Sequence, residues 1–152
     1  MENFKILKNG KKITCGIIII DKDNNILAGH PTGKKYDKEC YDILKGCCDN
    51  GEEELDCAIR ELYEESGYII KDKENIIDLG IIDYKKDKDI HLFLYRINKM
   101  PDLKTLKCIS YFETDNGRSL PEMNGYKVIS KNERYLFYKS IQRVLKNIKE
   151  IN

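Results

Sequence analysis

The chain has no tryptophan, only three prolines and two histidines, and almost no net charge. Without a Pro-rich tract, an internal repeat or a low-complexity segment, collagen-like, linker-rich and disordered architectures are excluded. The 27 basic residues are offset by 26 acidic ones, which argues against generic backbone-driven nucleic-acid binding, since that calls for a net basic domain. Long hydrophobic runs are also missing. The longest in the N-terminal half is Ile17–Ile20, far short of the roughly 20 residues of a membrane span. No charged-then-apolar leader opens the chain, so the expectation is a cytoplasmic protein with no membrane partner. Six cysteines are present, but none pairs as CxxC and Cys47 is adjacent to Cys48. In that context they read as reduced, mostly buried thiols with no disulfide-linked partner.

What is present fits one folded unit. A length of 152 residues with 41% hydrophobic and 9% aromatic content supports a real core, so the expectation is a single domain over residues 1–152. Asn9-Gly10 between Phe4–Lys8 and Lys11–Ile20 reads as a hairpin turn, because Asn-Gly accepts positive φ. Ile13–Ile20 is apolar on both faces, as a central, doubly covered strand requires. Asp21–Asn25 is a turn, Ile26–Ala28 a short strand and Gly29–Lys38 a loop. Glu52–Ser66 turns helical, and Gly67 stands where a left-handed C-cap belongs. Ile76–Asp83 and Ile90–Ile97 read as strands joined by the charged Lys85–Asp89 loop. The signal weakens from Thr114 to Pro121. Tyr126–Ile129 is a short strand, and Asn132–Ile148 an amphipathic helix with Tyr135, Tyr138, Ile141, Val144, Leu145 and Ile148 on one side. The order predicts an α/β (α+β) protein with a mixed sheet and helices packed against it.

On a helical wheel with Glu61 at zero, Glu64 falls at about −60° and Glu65 at about +40°, while Leu55, Ala58, Ile59 and Leu62 lie between roughly +60° and +160°. One flank is carboxylate and its neighbour is core. Carboxylates stacked at this spacing repel by a few tenths of a kcal/mol per pair, so either the face is simply solvated or a cation neutralises it. A hard divalent ion suits the second case, because it takes carboxylate oxygens and bridges to phosphates.

The surrounding residues decide between these. Gly46, Glu52, Arg60, Glu61, Leu62, Glu64, Glu65 and Gly67 stand at eight of the nine defined positions of GX5EX7REUXEEXGU, where U is bulky and aliphatic; Tyr68 replaces the final U. This segment resembles the Nudix box, and the flanking strands and C-terminal helix are similar to the rest of that family. The resemblance implies a Nudix-type α/β/α sandwich with a mixed central sheet. It also implies a Mg²⁺- or Mn²⁺-dependent pyrophosphohydrolase that cleaves a nucleoside diphosphate linked to another moiety. Gly46, Glu61, Glu64 and Glu65 would then be the metal ligands, and Arg60 would pair with Glu52 to hold the loop on the helix. The catalytic base stays open among Glu64, Glu65, Glu113 and Glu122.

Two cues bear on substrate. Tyr41-Asp42-Ile43-Leu44-Lys45-Gly46 is similar to the approach to the box in Nudix enzymes acting on dinucleoside polyphosphates and on triphosphorylated RNA 5′ ends, which makes Lys45 a candidate phosphate contact. Tyr84 stands where dinucleoside polyphosphate hydrolases resemble one another in carrying a tyrosine, a ring that could stack on a base for roughly 1–3 kcal/mol. His91, on one strand face with Phe93 and Tyr95, and His30, in the Gly29–Gly33 loop, are further candidates, although a structural histidine is the preferred reading of each. The leading substrate class is a dinucleoside polyphosphate such as diadenosine tetraphosphate. RNA 5′ ends, nucleoside triphosphates and nucleotide sugars stay open. Outside the enzymes, the alternatives are a non-catalytic nucleotide- or RNA-binding module, and an interaction protein that presents the Tyr135–Ile148 helix.

Overall fold

In a computed structural model describing residues 3–152, the apolar run forms β1 (Lys12–Ile20), which is buried on both faces. Alternation assigns each face to one layer. Ile13, Cys15, Ile17 and Ile19 pack with Cys57, Ala58 and Leu62 of α1 (Glu54–Ser66). Ile18 and Ile20 pack with Ile141, Val144 and Leu145 of α2 (Lys139–Lys146). The result is the expected α/β/α sandwich.

Six strands form the sheet. β4 (Ile77–Lys85), β5 (Lys88–Arg96), β1, β2 (Ile26–Pro31) and β8 (Met123–Ile129) follow in spatial order, and the short β3 (Lys45–Cys47) also pairs with β1. β1 and β5 run parallel from Lys12↔Lys88 to Ile20↔Arg96, and the other pairings are antiparallel, so the sheet is mixed. β2 touches β1 only at Ile20↔Ile26, which leaves the other half of that β1 edge to β3. The register Cys15↔Gly46 and Gly16↔Lys45 sends Gly46 toward α1 and Lys45 toward the α2 layer. Gly67 caps α1 at φ 75°, its N–H bonded to the Tyr63 carbonyl at 2.7 Å.

Several boundaries differ from expectation, each through tertiary pairing. The Asn9-Gly10 turn exists, but Phe4–Lys8 is no continuous strand: Phe4 bridges to Asp49 and Ile6 to Lys12. β2 continues through Gly29–Pro31, read as loop, because β8 pairs with it along its length. The Lys85–Asp89 loop shrinks to a tight turn between β4 and β5. The weak stretch after Pro101 holds an exposed hairpin, β6 (Tyr111–Glu113) and β7 (Ser119–Pro121). The largest correction is the C-terminal helix, which is broken. Lys131–Leu136 is a 3₁₀ turn and Phe137 is extended. The break lies where Tyr41 bridges to Phe137 and Tyr138 N–H bonds to the Tyr41 carbonyl at 2.9 Å. Tyr135 is consequently 56% exposed, while Ile141, Val144 and Leu145 are buried under the sheet. That burial removes the reading of this helix as an exposed partner surface. Among the described residues no helix is long and apolar enough to cross a membrane.

Candidate active site

β3 and α1 meet at Gly46. A Cβ built there would overlap Cδ and both carboxylate oxygens of Glu61 well inside contact distance, so the missing side chain is what lets Glu61 lie against the strand backbone. Arg60 then ties three carboxylates together. Its Nε donates to Glu52 Oε2 at 2.8 Å and its Nη2 to Glu52 Oε1 at 2.9 Å, a two-pronged pairing. Nη1 donates to Glu61 Oε1 at 3.0 Å and to Glu64 Oε1 at 3.1 Å. The expected Arg60–Glu52 pair is therefore present, and the same guanidinium also orients the two box carboxylates.

Glu61 and Glu64 open into a cleft of about 330 Å³, lined also by Phe4, Gly46, Cys47, Asp49, Arg60, Ser110 and Glu122. Four carboxylates thus face one guanidinium. Glu65, the third box carboxylate, is turned beneath this cleft: it is buried and accepts Lys45 N–H at 2.8 Å, while Tyr126 Oη donates to its backbone carbonyl. Of the four base candidates, Glu122 and Glu64 reach the cleft, whereas Glu113 sits exposed on β6.

Burial sets the charge states. Desolvation, helped by Glu64 and Glu122 and opposed by Arg60, pushes the Glu61 carboxyl up to about 7. Glu65 is driven well above the usual carboxylate range, again mainly by burial. Glu52 moves the other way, because the hydrogen bonds from Arg60 hold its carboxyl below the ordinary value. A cluster that keeps protons for want of positive charge fits a divalent cation. The donor set of carboxylate oxygens and the Gly46 carbonyl is hard, as Mg²⁺ or Mn²⁺ prefers.

The three substrate-binding candidates fall elsewhere. Lys45 points into the α2 layer, its ammonium paired with Asp42 at 2.9 Å and 5.9 Å from the Tyr84 ring centre. Burial alone would pull this ammonium down, but Asp42, Tyr84 and Glu65 together outweigh it and the net shift is upward. Its contribution to the site is the backbone N–H given to Glu65. Tyr84 is 4% exposed, so it offers no open face to a base, which corrects the stacking role. His91 lines a separate cleft, Nδ1 2.7 Å from Glu54 and Nε2 2.7 Å from Asp78, on residues that the carboxylate cleft does not share. His30 is fully buried, stacked on Tyr36 at 3.7 Å with Nδ1 2.6 Å from Asn124, not at a rim. Sequence reasoning missed Phe4, Asp49 and Ser110. Only the Phe4↔Asp49 bridge and the hairpin that separates Ser110 from Glu122 bring them in, and neither leaves a spacing signature.

A family model described as the NUDIX domain matches residues 10–122. An uncharacterised 17.7 kDa protein from the e-segB intergenic region of Enterobacteria phage T4 is 31% identical over 144 residues, covering 91% of this chain and 95% of that one. Among solved structures, a C. elegans Ap4A hydrolase in a binary complex superposes with TM-score 0.62 at 18% identity, over 90% of this chain and 96% of that chain. A MutT protein from Methanosarcina mazei Go1 superposes with TM-score 0.64 at 13% identity, over 95% and 96%.

Proposed function

Because the chain belongs to the Nudix family of hydrolases acting on phosphoanhydride bonds, we propose that its 152 residues act as one Mg²⁺- or Mn²⁺-dependent pyrophosphohydrolase domain. The observation that carries this is the cleft at Gly46, where Glu61 and Glu64 are held by one guanidinium and face Glu122 and Asp49. The residues that would hold the cation are Gly46, Glu61, Glu64 and Glu65. When bound, such an ion neutralises phosphate charge and lowers the pKa of a coordinated water.

The chain's own residues do the rest. Arg60 fixes the directions of Glu61 and Glu64 before substrate arrives, and Glu52 fixes Arg60, so little reorganisation is left for the reaction. Lys45 N–H and Tyr126 clamp Glu65 and the end of α1 to the sheet. Glu122 lines the cleft with no ion pair among the described residues, and is the carboxylate best placed to take a proton from the attacking water.

The proposed substrate class is a dinucleoside polyphosphate. Support comes from the Tyr41–Gly46 approach to the box, from the likeness to the C. elegans Ap4A hydrolase, and from aromatic surface beside the carboxylates. Phe4 lines the cleft itself, and Tyr111, next to Ser110, is 55% exposed. The test is release of phosphate and nucleotide with Mg²⁺ or Mn²⁺ from diadenosine tetraphosphate, 5′-triphosphorylated RNA, capped RNA, ADP-ribose and nucleoside triphosphates. Preference for the dinucleotide, with Phe4→Ala raising KM more than it lowers kcat, supports the reading. Preference for another member of the panel replaces the substrate class, and silence from folded, metal-binding protein removes the enzymatic one.

A further inference from the structure

Beside the carboxylate cleft, three cysteines from three elements converge. Cys15 of β1, Cys48 just after β3 and Cys57 of α1 place their sulfurs all within 4.8 Å of one another, and all three are buried. The β1–β3 register and the packing of α1 on β1 create this trio. The hydrolytic site makes no use of the thiols.

We propose that Cys15, Cys48 and Cys57 form a three-thiolate site for a thiophilic divalent cation of the Zn²⁺ or Cd²⁺ class. Zinc–sulfur bonds of about 2.3 Å in a tetrahedron set the sulfurs roughly 3.8 Å apart, so closing the trio around an ion needs about 1 Å of movement or less. A fourth donor is at hand: the Gly46 carbonyl oxygen is 3.7 Å from Cys57 Sγ, close to the roughly 3.6 Å edge between sulfur and oxygen on one zinc. Charge favours it too. Three thiolates around a divalent ion leave one net negative charge, and the Arg60 guanidinium lies 3.8 Å from Cys57 Sγ. On binding, three S–H bonds break, three S–metal bonds form and three protons pass to solvent, with no electron transferred. Soft sulfur rejects Mg²⁺ and the oxygen-lined cleft favours it, so the two sites sort ions by donor type. A loaded thiol site would draw on Gly46 and Arg60, both part of the cleft, and lower turnover; that consequence alone rests on the hydrolase reading.

The experiment titrates Cd²⁺ into reduced, metal-free protein and follows the ultraviolet thiolate-to-Cd²⁺ charge-transfer band, with X-ray absorption counting sulfurs. Saturation at one equivalent with three sulfurs per ion is expected, Zn²⁺ displacing Cd²⁺ and excess Mg²⁺ having no effect. The C40S/C47S/C108S triple variant should keep the band, and Cys48→Ser should weaken binding by ~100-fold. No band from folded wild-type protein overturns the proposal, as does a sulfur count below three or a band lost in the triple variant. The optical readout is independent of turnover, so a failed hydrolase assay leaves it intact.

Discussion

A side chain at Gly46 has nowhere to go except into Glu61. Gly46→Ala brings Cβ into Cδ and both carboxylate oxygens of Glu61, and the flexible carboxyl must retreat by roughly 1 Å. A misplacement of that size costs about 100-fold in rate when the displaced group positions the reacting atoms, equivalent to about 2.7 kcal/mol of transition-state stabilisation. Stability should hardly move. Gly46 lies in β3 and is not among the glycines with positive φ, so alanine fits the backbone and restricts the unfolded chain by about 0.4–1 kcal/mol in favour of folding. Against this stands the 3.0 Å bond from Arg60 to Glu61, which the displaced carboxyl would stretch, a charged hydrogen bond worth about 1.5–3 kcal/mol if lost outright and less if only stretched. A net change within about 1 kcal/mol shifts the melting temperature by about 4 °C or less at this size. Gly51→Ala is the opposite case. Gly51 has φ 83° with nothing within 4 Å of a built Cβ, so alanine should cost about 1–2 kcal/mol of stability and leave kcat near wild type. Thermal melts and steady-state rates of the two variants, side by side, decide the matter. Wild-type activity in Gly46→Ala would refute the placement of Glu61 at the reacting centre.

Glu64→Gln keeps the shape and removes a charge from a part-exposed side chain, so kcat should fall by at least ~100-fold with an unchanged melting temperature; a rate near wild type removes Glu64 from the metal site. Glu52→Gln weakens the two-pronged partner of Arg60 and should destabilise by about 1–3 kcal/mol near neutral pH. The Glu52 carboxyl is held below its ordinary value, so its contribution is present above the unfolded pKa and lost as pH falls through the folded one. Wild type and variant should therefore converge in acid, and a constant gap between them would falsify the ion-pair account. For the metal-free protein, burial keeps Glu61 protonated up to about 7 against 4.5 for the ordinary group. Between those values the native state binds more protons than the unfolded chain, so stability falls as pH rises, by up to about 3 kcal/mol. Glu65 adds the same sign. Mg²⁺ binds the ionised form, so its stabilising effect in melts should be larger at pH 8 than at pH 5; equal effects would sink the assignment.

Much of this site can be read in the sequence because its parts are local. Glu61, Glu64 and Glu65 share one helix, Gly67 ends it, and Glu52, just before the helix, reaches Arg60 eight residues on. The double-faced burial of Ile13–Ile20 likewise follows from composition alone. What sequence could not show are choices made by backbone pairing between distant segments. The bridge from Tyr41 to Phe137 breaks a helix that the apolar spacing favours. The parity of β3 against β1 decides which of two adjacent residues meets the helix, and so puts Gly46 in the cleft and Lys45 with Asp42 in the opposite layer. Shifting that register by one residue would exchange them.

That parity also explains how one short strand can serve two kinds of ion chemistry. Gly46 has no side chain, so its backbone is approached both by the Glu61 carboxylate and by the Cys57 sulfur, whose thiol lies 3.7 Å from the Gly46 carbonyl. Arg60 touches both, bonded to Glu61 and Glu64 and in contact with Cys57. A cation in the oxygen cleft would offset the burial and the carboxylate repulsion that together keep Glu61 protonated, and would compete with Arg60 for Glu61 and Glu64. A cation on the thiols would draw on the Gly46 carbonyl instead, beside the Arg60 guanidinium. Because the Gly46 carbonyl can serve only one of the two cations, filling either site should weaken the other, and by linkage the factor must be the same in both directions. Mg²⁺ affinity measured with and without bound Cd²⁺ tests this coupling: equal affinities would mean that Gly46 does not connect the two clusters.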